Sequence, residues 1–232
     1  MKALILAAGL GTRLQGMAAN KPKPLMEIGG EPLLGLLIAK LQNAGVSEFV
    51  INTHHRAEQI EQFIASQGLK DIVTLVYEEK LLGTAGTLKA NIDLLNDEDF
   101  FVLHGDNYFT DSLTSMVDRH MGSAPDIDLT MGTFVTDKPE STGTVVLDSE
   151  LRVTSFYEKD GNSPSRIANA AIFLMKPTVT EQVLALSNHE NDISRDLIPK
   201  FVKRILTHPF SWEFIDIGTP ESLEAARKLA EL

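Results

Sequence analysis

Strand-like and helix-like stretches alternate through the first hundred residues, and this alternation constrains the fold more than any other feature. Lys2 to Ala8 is a short apolar run, the pattern of a strand buried on both faces. Pro32 to Ala44 is apolar at helical spacing and stops at Gly45. Residues 47–52 form a second strand-like run, and residues 57–68 an amphipathic helix ending in Gly68. Residues 72–77 predict a third strand, 84–95 a loop passing into a helix, and 99–107 a fourth strand running into a turn. Strands joined through helices pair in parallel, because the helix is what carries the chain back to the start of the next strand. The second half is richer in strands. Its β-branched runs at 127–135, 143–148, 152–159 and 166–175 are separated by turn residues. Helical patterns follow at 177–187 and 192–203, then a short strand at 213–217. The last helix opens with Thr219 as N-cap, Pro220 at the first helical position and Glu221 in the first turn.

Composition limits what such a fold can bind. Lys plus Arg total 21 against 32 Asp plus Glu, a net charge of −11. This balance argues against nucleic acid and against an anionic membrane surface as partners. A negatively charged ligand would have to meet a local cluster of cations or a metal ion. The chain contains no cysteine, which excludes disulfides and thiolate chemistry and suits a reducing cytoplasm. No apolar run approaches the roughly 20 residues of a membrane span. The opening "MKALILAAG" carries too short an apolar stretch for a secretory signal. With 232 residues and no linker, repeat or low-complexity tract, the chain reads as a single domain over 1–232.

The stretch "GLGTRLQGMAANKPK" (9–23) follows the first strand directly. A glycine-rich turn lets backbone N–H groups approach an anion, and nearby basic side chains add charge. Neither standard phosphate fingerprint fits. A P-loop needs a lysine directly after its last glycine, and Leu14 stands where a dinucleotide loop needs its third glycine. By itself the stretch is either a phosphate turn or a tight strand exit with a solvated arginine.

Further segments narrow the choice. "LILAAGLGTRL", "KPKPLMEIGGEPLL", "LGTAGTL", "LHGDN", "VTSFYEK" and "FIDIGTPESL" occur in this order over nearly the whole chain. As a set they resemble the sugar-1-phosphate nucleotidylyltransferases, the nucleotide-sugar pyrophosphorylases. The resemblance implies a GT-A-like, Rossmann-type three-layer α/β sandwich with a mostly parallel mixed central sheet. It implies a nucleotide-binding half over about 1–110, a sugar-binding half over about 111–215 and a closing helix at 216–232. It also implies a reaction in which an NTP and a sugar 1-phosphate become an NDP-sugar and pyrophosphate.

Site residues follow from the same resemblance. Arg13 and Lys23 would hold the triphosphate, and Ala8, Gly9, Gly11 and Thr12 would line it. Lys23, not Lys21, matches the family's phosphate-binding lysine. Glu78, Gly83 and Thr84 fall in the segment that reads the base. Asp106 and Asp216 would hold Mg²⁺, a hard cation suited to carboxylate and phosphate oxygens. Gly143, Glu158, Lys159 and Asn169 match positions that contact the sugar and its phosphate. The chain departs from the family in places. Gln15 and Gly16 stand where a proline is usual, Thr142 where an aromatic is frequent, and Ala171 at or near a usual glycine.

Glutamine is frequent at position 78 in relatives that transfer uridylyl or thymidylyl groups. A glutamate only accepts hydrogen bonds, and guanine presents two adjacent donors. GTP with mannose or heptose 1-phosphate is therefore favoured over a uridylyl or thymidylyl transfer. More distant alternatives are a GT-A glycosyltransferase, which would usually carry Asp-x-Asp where "GDN" stands, and a non-catalytic nucleotide-sensing subunit. The partners expected are the two substrates, and the reading is compatible with a homo-oligomer.

Overall fold

The computed structural model describes residues 1–11, 14, 21–210 and 214–231. Strand β1 (Lys2–Leu6) comes first, followed by the short hairpin β2 (Glu27–Ile28) and β3 (Glu31–Pro32) and by helix α1 (Leu33–Asn43). Next come β4 (Glu48–Thr53), α2 (Ala57–Ser66), β5 (Val73–Tyr77) and α3 (Thr84–Ala90). Strands β6 (Phe100–His104) and β7 (Asn107–Phe109) precede α4 (Thr114–Met121). The strand-rich stretch comprises β8 (Leu129–Val135), β9 (Gly143–Leu147), β10 (Val153–Glu158) and β11 (Ile167–Met175). The chain ends with α5 (Thr180–Leu184), β12 (Ile205–Pro209), β13 (Phe214–Asp216) and α6 (Pro220–Leu229). The architecture is α/β, a mixed central sheet with flanking helices.

Two compact units share the chain. The first takes Met1–Leu81, Leu103–Leu113 and Glu213–Leu232, and the second Leu82–Val102 and Thr114–Trp212. The expected halves put one cut near residue 110, whereas the observed units interleave because residues 82–102 go with the second.

In the first unit β1, β4 and β5 run parallel, with Leu4 opposite Val50 and Val50 opposite Thr74. Ala3, Leu4 and Ile5 are fully buried, as a parallel strand covered on both faces requires. Helix α1 buries Leu33, Leu34, Leu37, Ile38 and Leu41, a stripe at helical spacing. It ends where Gly45 takes a left-handed φ of 92°. The Gly45 and Val46 N–H groups there donate to the Gln42 and Leu41 carbonyls. Helix α6 starts at the expected N-cap. Thr219 Oγ1 accepts from the Ser222 N–H while Ser222 Oγ accepts from the Thr219 N–H, a reciprocal capping box.

In the second unit β8 pairs antiparallel with β11 and parallel with β12, so that Met131 lies opposite both Phe173 and Thr207. Strands β9 and β10 form an antiparallel pair. Phe101, Leu129, Met131, Phe173, Leu197, Ile198 and Phe201 are all at most 1% exposed. The stretch 192–203 differs from the continuous helix its pattern predicts. It forms a π-helical turn over Ile193–Leu197 and then a 3₁₀ turn over Ile198–Phe201. Pro199 has no N–H to continue an α-helix. The expected inner face, Ile193, Leu197, Ile198 and Phe201, is buried nonetheless. Helix α4, strand β12 and the β2–β3 hairpin carry no pattern that the sequence reading picked out. Among the described residues no helix is long and apolar enough to cross a membrane.

Removing the ring of Phe101, which is fully buried, leaves a cavity as well as losing apolar burial. Phe101→Ala should cost about 3–5 kcal/mol in urea unfolding. A loss under about 1 kcal/mol would contradict the placement of Phe101 in a close-packed core.

Candidate active site

In the first unit the phosphate-type turn grows out of β1. The Ala7 N–H, just past the strand, donates to Asn52 Oδ1 at 2.7 Å. Gly11 then takes a left-handed φ of 63°, and its carbonyl accepts from the Leu14 N–H at 3.0 Å. Ala8, Gly9 and Gly11 lie on this exit, whereas Thr12 and Arg13 fall outside the described residues. The chain returns at Lys23, which opens a 3₁₀ turn with Pro22 before it and Pro24 within it. The two proline rings fix φ on either side, so Lys23 is presented from a stiff segment. Its aliphatic stem passes Gly11 so closely that a Cβ there would touch Lys23 Cγ at 3.4 Å.

Lys23 Nζ donates to Asp106 Oδ2 at 2.8 Å, and the two side chains are only 11% and 23% exposed. Lys21, by contrast, pairs with Glu27 in solvent. Gly105 brings Asp106 to this place. Its N–H donates to the Leu6 carbonyl at 2.9 Å, and a Cβ at Gly105 would meet Leu6 O at 3.2 Å and Pro24 Cγ at 3.3 Å. The next residues form β7, paired antiparallel with β13, where Asn107 lies opposite Asp216. The Ile217 N–H donates to the Asp106 carbonyl at 2.9 Å. Asp106 thus directly precedes β7, and Asp216 on β13 lies opposite the next residue, Asn107. No group of three or more metal-type ligands occurs among the described residues. A carboxylate just before β7 and one at the end of β13 fit a dication whose other ligands are phosphate and water.

Glu78 is not a solvated residue past a strand end. It is 6% exposed, its N–H donates to the Thr53 carbonyl, and its Oε1 accepts from Asn52 Nδ2 at 2.9 Å. His54 Nδ1 donates to the Glu78 carbonyl at 2.8 Å, and the His54 ring stacks on Tyr77. Asn52 thus links the exit of β1 to Glu78. The sequence reading missed it, although an asparagine closing the apolar run "FVIN" is a signal, since a buried amide needs partners.

In the second unit Gly83 precedes α3 with φ 76°, and a Cβ there would collide with the Asn191 carbonyl. The Ala85 N–H donates to that carbonyl at 3.0 Å, and Thr84 Oγ1 accepts from the Ile193 N–H at 2.8 Å. Gly83 and Thr84 are thereby clamped to the 191–193 segment. Gly143 faces Glu158 across the β9–β10 pair, and a Cβ on Gly143 would lie 2.6 Å from Glu158 Oε2. Glu158 Oε2 is buried with no hydrogen-bond partner, while Oε1 is 3.6 Å from Lys159 Nζ. Burial raises the Glu158 pKa, the Lys159 charge opposes that shift, and Asp192 adds to it. Lys159 adopts φ 50° and is 67% exposed. Asn169 Nδ2 donates to Ser194 Oγ at 3.1 Å, and its Oδ1 accepts from the Ala171 N–H at 2.8 Å. This unit therefore holds Gly143, Glu158, Lys159 and Asn169 as well as Gly83 and Thr84, while Lys23, Glu78, Asp106 and Asp216 belong to the first.

The profile of the nucleotidyl transferase family matches residues 2–231. The chain is 32% identical to a UTP–glucose-1-phosphate uridylyltransferase of Synechocystis, over 98% of this chain and 63% of that protein. It is 27% identical to a D-glycero-α-D-manno-heptose 1-phosphate guanylyltransferase of Aneurinibacillus thermoaerophilus, covering 98% of this chain and 97% of that one. A crystal structure of HddC from Yersinia pseudotuberculosis complexed with GMP-PN superposes with a TM-score of 0.77 at 26% identity, covering 98% of each chain. The chain spans about three fifths of the length of some curated relatives that it matches, including the Synechocystis protein.

The raised Glu158 pKa has a stability consequence. A carboxyl whose folded pKa lies above its unfolded value contributes stability below the unfolded pKa and loses it as pH rises through the folded value. Glu158→Gln should therefore gain on wild type in urea unfolding as pH climbs from 4.5, the group's ordinary value, toward neutrality. A difference that stays flat with pH would contradict the burial of this carboxyl.

Proposed function

This chain belongs to the nucleotidyl transferase family, and from that membership we propose that it transfers a nucleotidyl group from an NTP to a sugar 1-phosphate. The observation that carries the reading is the half-buried Lys23–Asp106 pair beside the glycine turn, with Asp216 on β13 opposite the next residue, Asn107. A phosphate oxygen of the sugar 1-phosphate attacks the α-phosphorus of the NTP. The bond from that phosphorus to the β-phosphate oxygen breaks, and pyrophosphate leaves. The protein has little covalent chemistry to do. It must align two polyanions and offset their repulsion. Lys23 takes triphosphate oxygens in place of the Asp106 carboxylate, and Arg13, matched by the sequence motif alone, adds a second cation for them. Lys159, on an exposed strand end, takes the sugar phosphate, and Glu158 and Asn169 take sugar hydroxyls. Asp106 and Asp216 would hold Mg²⁺, which supplies charge neutralisation at the phosphates when bound. The lack of cysteine suits a cytoplasmic setting.

For the base we favour guanine. Glu78 presents a buried carboxylate whose Oε1 is already held by Asn52. A carboxylate has about four acceptor sites and no donor, so it suits the adjacent N1–H and amino group of guanine and opposes a uracil carbonyl. The full-length guanylyltransferase relative and the GMP-PN complex of HddC support this choice. A heptose or mannose is then the favoured sugar. The uridylyl reading is the alternative, supported by the Synechocystis relative.

Three measurements test these assignments. Asp106→Asn should lower turnover by about 100-fold, the scale of one preorganised electrostatic element. Near wild-type turnover in a folded variant would overturn the metal role. Lys23→Ala should impair NTP use and turnover, while Lys159→Ala should raise the KM for sugar 1-phosphate by about 10- to 100-fold, the range for a charge-assisted hydrogen bond. The reverse pattern would exchange the two roles. In calorimetry with the metal withheld, GTP should bind more tightly than UTP or dTTP. Tenfold tighter pyrimidine binding would replace the guanine assignment.

A further inference from the structure

Asn169 lies where β11 departs from regular pairing. The register with β8 shifts between Asn169 and Phe173, and within the shift Ala171 adopts φ 51°. A left-handed alanine costs on the order of 1 kcal/mol, so the surrounding structure must impose it. The local consequence is that the Ala171 N–H turns back and donates to Asn169 Oδ1 at 2.8 Å. On the other side Asn169 Nδ2 donates to Ser194 Oγ at 3.1 Å.

These two bonds settle the sense of the amide. A backbone N–H can only donate, so the atom facing Ala171 must be the oxygen and the atom facing Ser194 the nitrogen. One amide hydrogen goes to Ser194 Oγ, and the amide has a second one to donate. Ser194 is itself held by its neighbours. It sits in the π-helical turn, where the Ile193 N–H donates to Thr84 Oγ1 at 2.8 Å and the Arg195 N–H donates to Asp192 Oδ1 at 2.8 Å. Single π-type turns are frequent at functional sites because they offset a side chain from the regular helical row.

We propose that Ser194 is a positioning residue for the sugar 1-phosphate, fixing the Asn169 amide so that its second N–H donates to a sugar hydroxyl. The inference rests on the proposed reaction and extends it to a residue that does not touch the substrate. The left-handed Ala171 and Ser194 act as two stops on one amide. Loss of the serine stop lets the amide rotate and weakens sugar binding without touching the phosphates or the nucleotide.

The test uses steady-state kinetics on the full chain with its best NTP and sugar pair. Ser194→Ala should raise the KM for sugar 1-phosphate by about threefold to tenfold, the scale of one neutral hydrogen bond, and leave kcat and the KM for NTP within about twofold. Ser194→Thr keeps the hydroxyl and should restore the wild-type KM. In an Asn169→Ala background Ser194→Ala should have no further effect, since the group it positions is gone. A structural role would instead lower kcat and the thermal midpoint, and its effect would add to that of Asn169→Ala. Additive effects, or an unchanged sugar KM in an active Ser194→Ala enzyme, overturn the positioning role and leave the reaction standing. A wild-type protein that turns over no NTP and sugar 1-phosphate pair overturns the reaction, and this inference with it.

Discussion

One ion pair organises the glycine-turn end of the first unit. Lys23 Nζ and Asp106 Oδ2 are 2.8 Å apart and largely withdrawn from water. Their attraction is therefore screened less than that of a surface pair. The pair depends on three local devices. The prolines at 22 and 24 hold the lysine's backbone, Gly11 takes the left-handed turn beside its stem, and Gly105 lets the aspartate approach the end of β1. In a chain of net charge −11, this holds a cation beside the glycine turn without leaving a bare buried charge. On the proposed reading a phosphate replaces the carboxylate as partner of the lysine, and the carboxylate turns to the metal.

Glycines and left-handed residues at the other positions act as clearances and aiming devices. Gly83 lets the chain pass against the Asn191 carbonyl, Gly143 makes room for the Glu158 carboxyl, and Ala171 turns its N–H onto Asn169. The buried amide of Asn52 does comparable work in the first unit, where its two ends tie the exit of β1 to Glu78. Asn52 and Asn169 are each held at the amide oxygen by a backbone N–H, which moves little.

Much of this was legible in the sequence. The parallel strands show as unbroken apolar runs, because strands covered on both faces need no alternation. Thr219 and Pro220 announce α6 by local capping chemistry alone. The motifs single out Lys23 and Asp106, and the fold brings them into contact. Other features depend on contacts distant in sequence. Ser194 looked like one position in an amphipathic helix, and only Pro199 hinted that the stretch 192–203 would break into two tighter or wider turns. Asn52 and Glu78 are 26 residues apart, and no local rule pairs them. Glu78 as a buried acceptor, not a solvated loop residue, follows from that pairing. Thr12 and Arg13, expected at the phosphates, lie outside the described residues.

The measurement that bears most directly on the account is pyrophosphate release across a grid of GTP, UTP, dTTP and CTP against mannose, heptose and glucose 1-phosphates, with and without Mg²⁺. The account predicts release that requires an NTP, a sugar 1-phosphate and the dication together, with the highest kcat/KM for GTP. Release from NTP without any sugar phosphate, or none from any pair, would contradict it.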